Sequence, residues 1–330
     1  MQRDKTSLQS NITSQDQTEL SIKQTRHPRN TLNDMNGDRF LYFTKSVLST
    51  SYPSVYSHEL RKKHGANKPP QLMALLIEFF TKTGMSVLDP FAGVGGTLIG
   101  ASIAAPGARR CIGIEINQQW TDIYTYVLKD NPGLLPQTMI QGDCVEVMDR
   151  MLAHQNVLDI DGREVGIGEK ETIFDFIVMD PPYNIHLEQT MSGNGGKLYV
   201  EKYANRRSDY NMRSHHDRDL ANLATYNGYL DAMSEVFQRC YRLVRPGRYM
   251  AIIVRNAYQH AEYMFTHVDL AQRAASVGFI PKGEIIWYQA GTKLRPYGYP
   301  YSFVPNIIHQ NIVILQRPRS GRSKKTKSSR

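Results

Sequence analysis

The chain has no run of about 18 apolar residues, the length that crosses a bilayer, so no membrane-spanning helix is expected. Its start, "MQRDKTSLQSNITSQDQTEL", lacks the apolar core of a secretory signal. Cysteine is scarce: Cys111, Cys144 and Cys240 lie far apart and form neither a CxxC pair nor a Cys/His spacing suited to zinc, so no metal is expected. An odd number of isolated thiols fits a reducing compartment, and a cytoplasmic location is the expectation. Acid is absent from the last stretch, "QRPRSGRSKKTKSSR", which holds seven Lys/Arg, so residues 1–315 contribute only +2 of the net +9. A tail of that kind reads as disordered and solvated, or as a contact for a polyanion such as nucleic acid.

With 330 residues, 41% of them hydrophobic, there is ample material for a core. Residues 1–36, rich in Gln, Ser, Thr and Asn, read as a flexible polar leader, residues 37–317 as a single domain and 318–330 as the basic tail. Within the domain, "PPQLMALLIEFFTKTG" reads as a helix opened by proline and closed by Gly84. The strand "MSVLDPF" runs into "AGVGGT" and the helix "LIGASIAA". "RRCIGIEIN", "TMIQGD" and "FDFIVMD" are further strands, with "QQWTDIYTYVLKDN" and "CVEVMDRMLA" helical between them and 157–172 a surface hairpin or loop. "YNGYLDAMSEVFQRCYRLV", closed by "RPGR", and "AEYMFTHVDLAQRAASVGF" read as helices, and "YMAIIVRN", "GEIIWYQ" and "QNIVILQR" as strands. Alternation of this kind means a doubly wound, mostly parallel, seven-stranded α/β sheet. The last two strands have no helix between them, which lets the final one run antiparallel.

Ligands of such sheets sit beyond the carboxyl ends of the strands, where Asp89, Glu115 and Asp143 fall. Gly93, Gly95 and Gly96 allow the backbone to approach a ligand closely beside a helix N-terminus. No lysine follows them, which removes a P-loop, and the dinucleotide fingerprint fails because Leu98 holds its third glycine position. Glu115 lies 19 residues after Gly96, a good distance for gripping two ribose hydroxyls, and Asp143 can accept from an adenine amine. That set, without phosphate machinery, suits S-adenosylmethionine. The bland alternative is a glycine turn that merely packs a strand on a helix.

"DPFAGVGGT" resembles the cofactor loop of the DNA amino-methyltransferases, and "DPPYN" resembles their (D/N/S)-P-P-(Y/F/W) catalytic motif. "NKPPQLMALLIEFF" resembles their Lys-Pro helix, and the likeness covers about residues 58–317. The resemblance implies that Phe91, Gly93 and Gly95 line the methionine side, with Lys68 for its carboxylate, Glu115 for the ribose and Asp143 for the adenine. It implies that Asp180, Pro181, Pro182 and Tyr183 receive the target base. An exocyclic amine is a poor nucleophile because its lone pair is delocalised into the ring. Acceptors at Asp180 and at the Pro181 carbonyl favour a pyramidal nitrogen, rigid prolines keep the carbonyl still, and Tyr183 offers a stacking face. In duplex DNA the base has to be flipped out first.

Adenine-N6 is expected over cytosine-N4, because the family's cytosine enzymes more often carry serine where Asp180 stands. The alternatives are an RNA or protein-glutamine methyltransferase, and a non-catalytic DNA-binding partner subunit. Residues 185–222 mix arginines and tyrosines, and Tyr199, Arg206, Arg207 and Arg213 are the candidates for DNA contact; His215 and His216 read as loop residues. Residues 288–311, rich in tyrosine and proline, read either as a pocket wall or as a cap on the sheet. Members with this motif order usually carry a target-recognition domain, and only the basic tail follows the last strand here. Recognition is therefore expected from the 185–222 loop, the N-terminal residues, or a homodimer or partner subunit.

Overall fold

A computed structural model of the chain describes residues 28–165, 174–182, 218–259, 262–292 and 303–319. Helix α1 (Gly37–Phe43), capped by the Asn36 side chain on the Arg39 N–H, leads to strand β1 (Val47–Thr50). Helix α2 (Pro70–Phe80) begins on a proline, whose missing N–H is no loss in a first turn, and stops where Thr81 becomes extended. The core alternation follows: β2 (Ser86–Asp89), α3 (Gly96–Ile103), β3 (Arg110–Glu115), α4 (Gln118–Asp130), β4 (Thr138–Gln141) and α5 (Cys144–Leu152). Then come β5 (Phe174–Met179), α6 (Tyr226–Leu243), β6 (Val244–Val254), α7 (Thr266–Val277), β7 (Ile280–Gln289) and β8 (His309–Gln316).

The strands form one sheet in the order β1-β7-β8-β6-β5-β2-β3-β4. The run from β6 to β4 is parallel, and β8 is antiparallel to both its neighbours, as the missing helix before it implied. From β2 the chain winds outward to β4, then returns to place β5 on the other side of β2. That reversal opens a crevice at the carboxyl ends of β2 and β5. Strand β5 is buried throughout, and apolar apart from Asp175, because helices cover both faces of the sheet. Phe176 and Val178 join Leu72, Leu76, Phe80 and Tyr124 on one face. Ile177 and Met179 join Met148, Phe237, Leu243 and Leu270 on the other.

The seven expected strands are present, and β1 adds an eighth at the edge, parallel to β7. Its four residues bury only Leu48, too little apolar signal to mark a strand; the partner strand defines it, with the Trp287 indole N–H donating to Thr50 Oγ1 at 2.9 Å. The segment read as one helix from Ala261 is instead divided. Glu262–Met264 pairs antiparallel with Ala257–Gln259, and α7 begins at Thr266. The cross-strand Tyr258–Tyr263 contact holds that hairpin against the helical pattern. "RPGR" lies inside β6 rather than in a turn, with the Gly247 N–H donating to the Arg317 carbonyl at 2.8 Å. In the 157–172 stretch, Val157–Leu158 pairs antiparallel with Glu164–Val165. Within the stretch assigned to the leader, Asn33 is fully buried and donates to the Phe79 carbonyl at 2.6 Å.

Candidate active site

Strand β2 delivers Asp89 to the sheet edge, buried. Its Oδ1 accepts the Phe91 N–H at 2.9 Å and its Oδ2 accepts the Thr97 hydroxyl, which ties the start of the glycine loop to the first turn of α3. Burial pushes this carboxyl up to about 7, against the pull of those two bonds. Gly93 and Gly95 both have positive φ, at +51° and +78°. A Cβ on Gly95 would stand 2.2 Å from the Tyr124 ring, so that glycine is required by packing on α4. It does not line the crevice, which Gly93 does. Gly93 therefore approaches the crevice and Gly95 the core, a division that glycine spacing alone does not reveal.

At the end of β3, Glu115 reaches back to the loop. Its Oε2 accepts the Gly93 N–H at 2.8 Å and its Oε1 the Asn117 N–H at 2.9 Å. Burial pushes it up to about 7; the two backbone bonds oppose that, and the charges of Asp219 and Asp89 add to it. Beyond β4, Asp143 caps α5 by accepting the Glu146 N–H at 2.9 Å. Arg218 stands 3.8 Å from the same Asp143 oxygen and 2.6 Å from Glu146 Oε1.

Asp180 follows β5 directly and forms an ion pair with Lys68, which is itself buried and also donates to the Ala66 carbonyl at 3.1 Å. The Lys68 carbonyl is held in turn by the buried Arg61 guanidinium at 2.8 Å. Pro181 and Pro182 continue along the crevice wall. One crevice thus gathers Lys68, Asp89, Phe91, Gly93, Glu115, Asp143, Asp180, Pro181 and Pro182 from five segments of the chain. Tyr183, Tyr199, Arg206, Arg207, Arg213, His215 and His216 lie outside the described residues, as do most of the 185–222 loop and the tail from 320.

The crevice also contains residues that the motifs did not mark. His64 stands edge-on to Trp120 with ring centroids 4.9 Å apart, and a Cβ on Gly93 would lie 3.2 Å from its Nε2. Burial, and then the charges of Lys68 and Arg61, bring His64 down to about 4, so the ring is neutral. Asp219 and Arg218 enter from the chain just before the 3₁₀ turn Leu220–Asn222. Only the Asp219 cap before "LAN" left a local trace in the sequence; His64 and Trp120 are brought in by packing.

Five acids, Asp89, Glu115, Asp143, Asp180 and Asp219, meet Lys68 and Arg218 around this space. Even with Asp89 and Glu115 pushed up to about 7, the balance stays on the acidic side, which disfavours a phosphate and suits a ligand with positive charge and hydroxyl donors. Among the described residues no group of three or more His, Cys, Asp or Glu is arranged to hold a metal ion, and no helix is long and apolar enough to cross a membrane.

The family model described as "DNA methylase" matches residues 4–125 and 174–321. The chain belongs to that DNA methylase family. No curated protein matches it. Among solved structures, this DNA methylase family member is similar to TrmN from Thermus thermophilus at 13% identity and a TM-score of 0.45, over 79% of this chain and 53% of that one. It is also similar to a provisionally described DNA modification methylase from the same organism, complexed with S-adenosyl-L-methionine, at 19% identity and a TM-score of 0.27. That match covers 46% of this chain and 50% of the other. The chain thus spans about half the length of these two solved chains.

Proposed function

We propose that the protein is a DNA methyltransferase that moves a methyl group from S-adenosylmethionine to the exocyclic amine of a flipped base, adenine-N6 before cytosine-N4. The observation that carries this reading is the meeting of two loops in one crevice: Asp89 to Thr97 from one strand end, Asp180 to Pro182 from its neighbour. Membership of the DNA methylase family supports it.

The donor set fits the cofactor. Glu115 already accepts two backbone N–H groups and, as a carboxylate, keeps lone pairs for ribose hydroxyls. Asp143 would hold the adenine end, and Gly93, without a side chain, would let the methionine end approach the backbone. When bound, the sulfonium supplies an electrophilic methyl on a neutral thioether leaving group. The protein's own part is positioning and charge. Asp180 accepts from one amine hydrogen and the Pro181 carbonyl from another, which returns the nitrogen lone pair to the line of transfer. Lys68 pairs with the Asp180 carboxylate and aims it as an acceptor. Phe91, Ile116 and Trp120 supply apolar wall against bulk water.

The test is incubation of the full chain with methyl-labelled S-adenosylmethionine and separate DNA, RNA and protein substrates, followed by nucleoside analysis. N6-methyladenine in DNA is the expected product. Label in RNA or protein alone, or none at all, would falsify the reading, and N4-methylcytosine would reverse the base assignment.

A further inference from the structure

Strand β6 lies beside β5 and runs parallel to it, with Met179 level with Ile252. The chain leaving β6 therefore emerges on the same edge as Asp180, one strand spacing of roughly 4.8 Å away. It emerges as the hairpin of Ala257–Gln259 and Glu262–Met264. Tyr258 and Tyr263 stand directly opposite one another, and their rings meet edge-on at 5.0 Å. Phe265, two residues beyond Tyr263 and so on the same face, meets that ring edge-on at 4.8 Å. The three rings make a ladder.

The ladder ends on an exposed ring: Tyr258 and Tyr263 are half-buried and Phe265 is 58% exposed, while Ala257 on the other face is buried. Folding alone favours a large ring such as Phe265 inside. The ladder is also held rigidly. Buried Asn256 donates to the Tyr263 hydroxyl at 2.9 Å, and its Oδ1 accepts the His267 N–H at 3.3 Å and meets His267 Nδ1 at 2.7 Å. Exposed Arg255, where β6 gives way to the hairpin, donates to the Ile307 carbonyl. Aromatic rings on a fixed support are the elements of a base-stacking platform.

We propose that Tyr258, Tyr263 and Phe265 form a platform on which an unpaired base of the DNA strand next to the flipped target stacks. The inference rests on the DNA methyl-transfer reading for the position of the target. It goes beyond that reading by assigning a second contact, built from residues that no motif includes. Flipping one nucleotide removes stacking from its neighbours, and an aromatic face close to the catalytic edge restores it. Stacking tolerates any base, so the platform adds affinity without adding sequence preference.

The full chain, the Tyr258→Ala/Phe265→Ala double variant and Phe265→Trp are titrated with fluorescein-labelled single-stranded DNA at several salt concentrations. The double variant is expected to bind about tenfold more weakly with an unchanged salt slope, because stacking releases no counterions, and Phe265→Trp to bind as well as wild type. S-adenosylmethionine affinity, measured by calorimetry, is expected to stay level and reports that the variant is folded. Unchanged DNA affinity in a folded double variant overturns the platform. Loss of self-association with DNA affinity intact overturns it too, and assigns the rings to a second copy of the chain. Weakened DNA binding in a chain that methylates no DNA would keep the platform while sinking the methyl-transfer reading, so the two failures are separable.

Discussion

The loops after β2 and after β5 leave the same sheet edge side by side, yet they are held by different means. The first is fastened by two local bonds, Asp89 to Phe91 and Thr97, and by two contacts from further along the chain, Gly93 to Glu115 and Gly95 wedged against Tyr124. The second has two prolines for local stiffness, and its acid is fixed by a lysine 112 residues earlier in the chain. One loop is held at several points, near and distant in sequence; the acid of the other is held by an ion pair with a distant segment. On the proposed reading, a loop that approaches its ligand through backbone needs bonds at several points, and an acid that accepts from the target amine needs a partner that aims it.

The largest difference between the two is expected in Asp180→Asn. Methyl incorporation should fall by about 10²- to 10³-fold, the scale of removing one aimed transition-state group. The affinity for S-adenosylmethionine should hardly move. Equal losses in both would mean that the two loops are not separable. Gly95→Ala is expected to do the opposite, striking the fold first. Overpacking on Tyr124 together with a strained φ should cost about 3 kcal/mol in denaturant unfolding. A variant as stable as wild type would remove the packing explanation.

The ion pair sharpens the same contrast. Lys68→Met and Asp180→Ala should each destabilise by up to about 3 kcal/mol, because each removes the opposite charge from a poorly hydrated ion. The double variant should lose less than the two singles together, and strict additivity would deny the coupling. The pH dependence is the next effect in size. Asp89 and Glu115 are raised to about 7 from their ordinary values of 3.8 and 4.5, so between roughly pH 4 and 7 the native state holds protons that the unfolded chain has released. The contribution of these two groups to stability is therefore complete below about pH 4 and lost as pH rises through about 7. Melting of the unliganded protein at about pH 5 and about pH 7.5 should show that fall, and Asp89→Asn should reduce it. Affinity for S-adenosylmethionine should run the other way, because ionised Glu115 is the stronger acceptor for hydroxyl groups. The smallest effect is expected from Arg218→Gln. Its pair with Glu146 is more than half exposed on both sides, and its loss should cost less than about 1 kcal/mol.

Much of this edge was legible in sequence because its signals are local. Glycines, a strand-ending acid and paired prolines each constrain their own backbone, and their alternation with apolar runs implied a parallel sheet. The second strand of the hairpin, 262–264, was read as the start of a helix because its apolar residues also fit a helical spacing; the contact between Tyr258 and Tyr263, which decides it, is a property of the folded chain. Strand β1 went unseen because an edge strand takes its identity from its partner. His64 and Trp120 left no pattern, since each is placed by a neighbour distant in sequence.

By itself, then, the sequence determined the order of the seven main strands and of the helices between them, the two loops that face the crevice and the acids that end its strands, because those depend on backbone constraints a few residues long. Tertiary structure alone decided that β5 returns beside β2, that Gly95 faces Tyr124 while Gly93 faces the crevice, and that Lys68 finds Asp180. Each of those is a contact between distant segments, set by packing both faces of one sheet, and no local pattern encodes it. "DPPY" names an acid and a rigid turn; what that acid can do depends on the ammonium beside it.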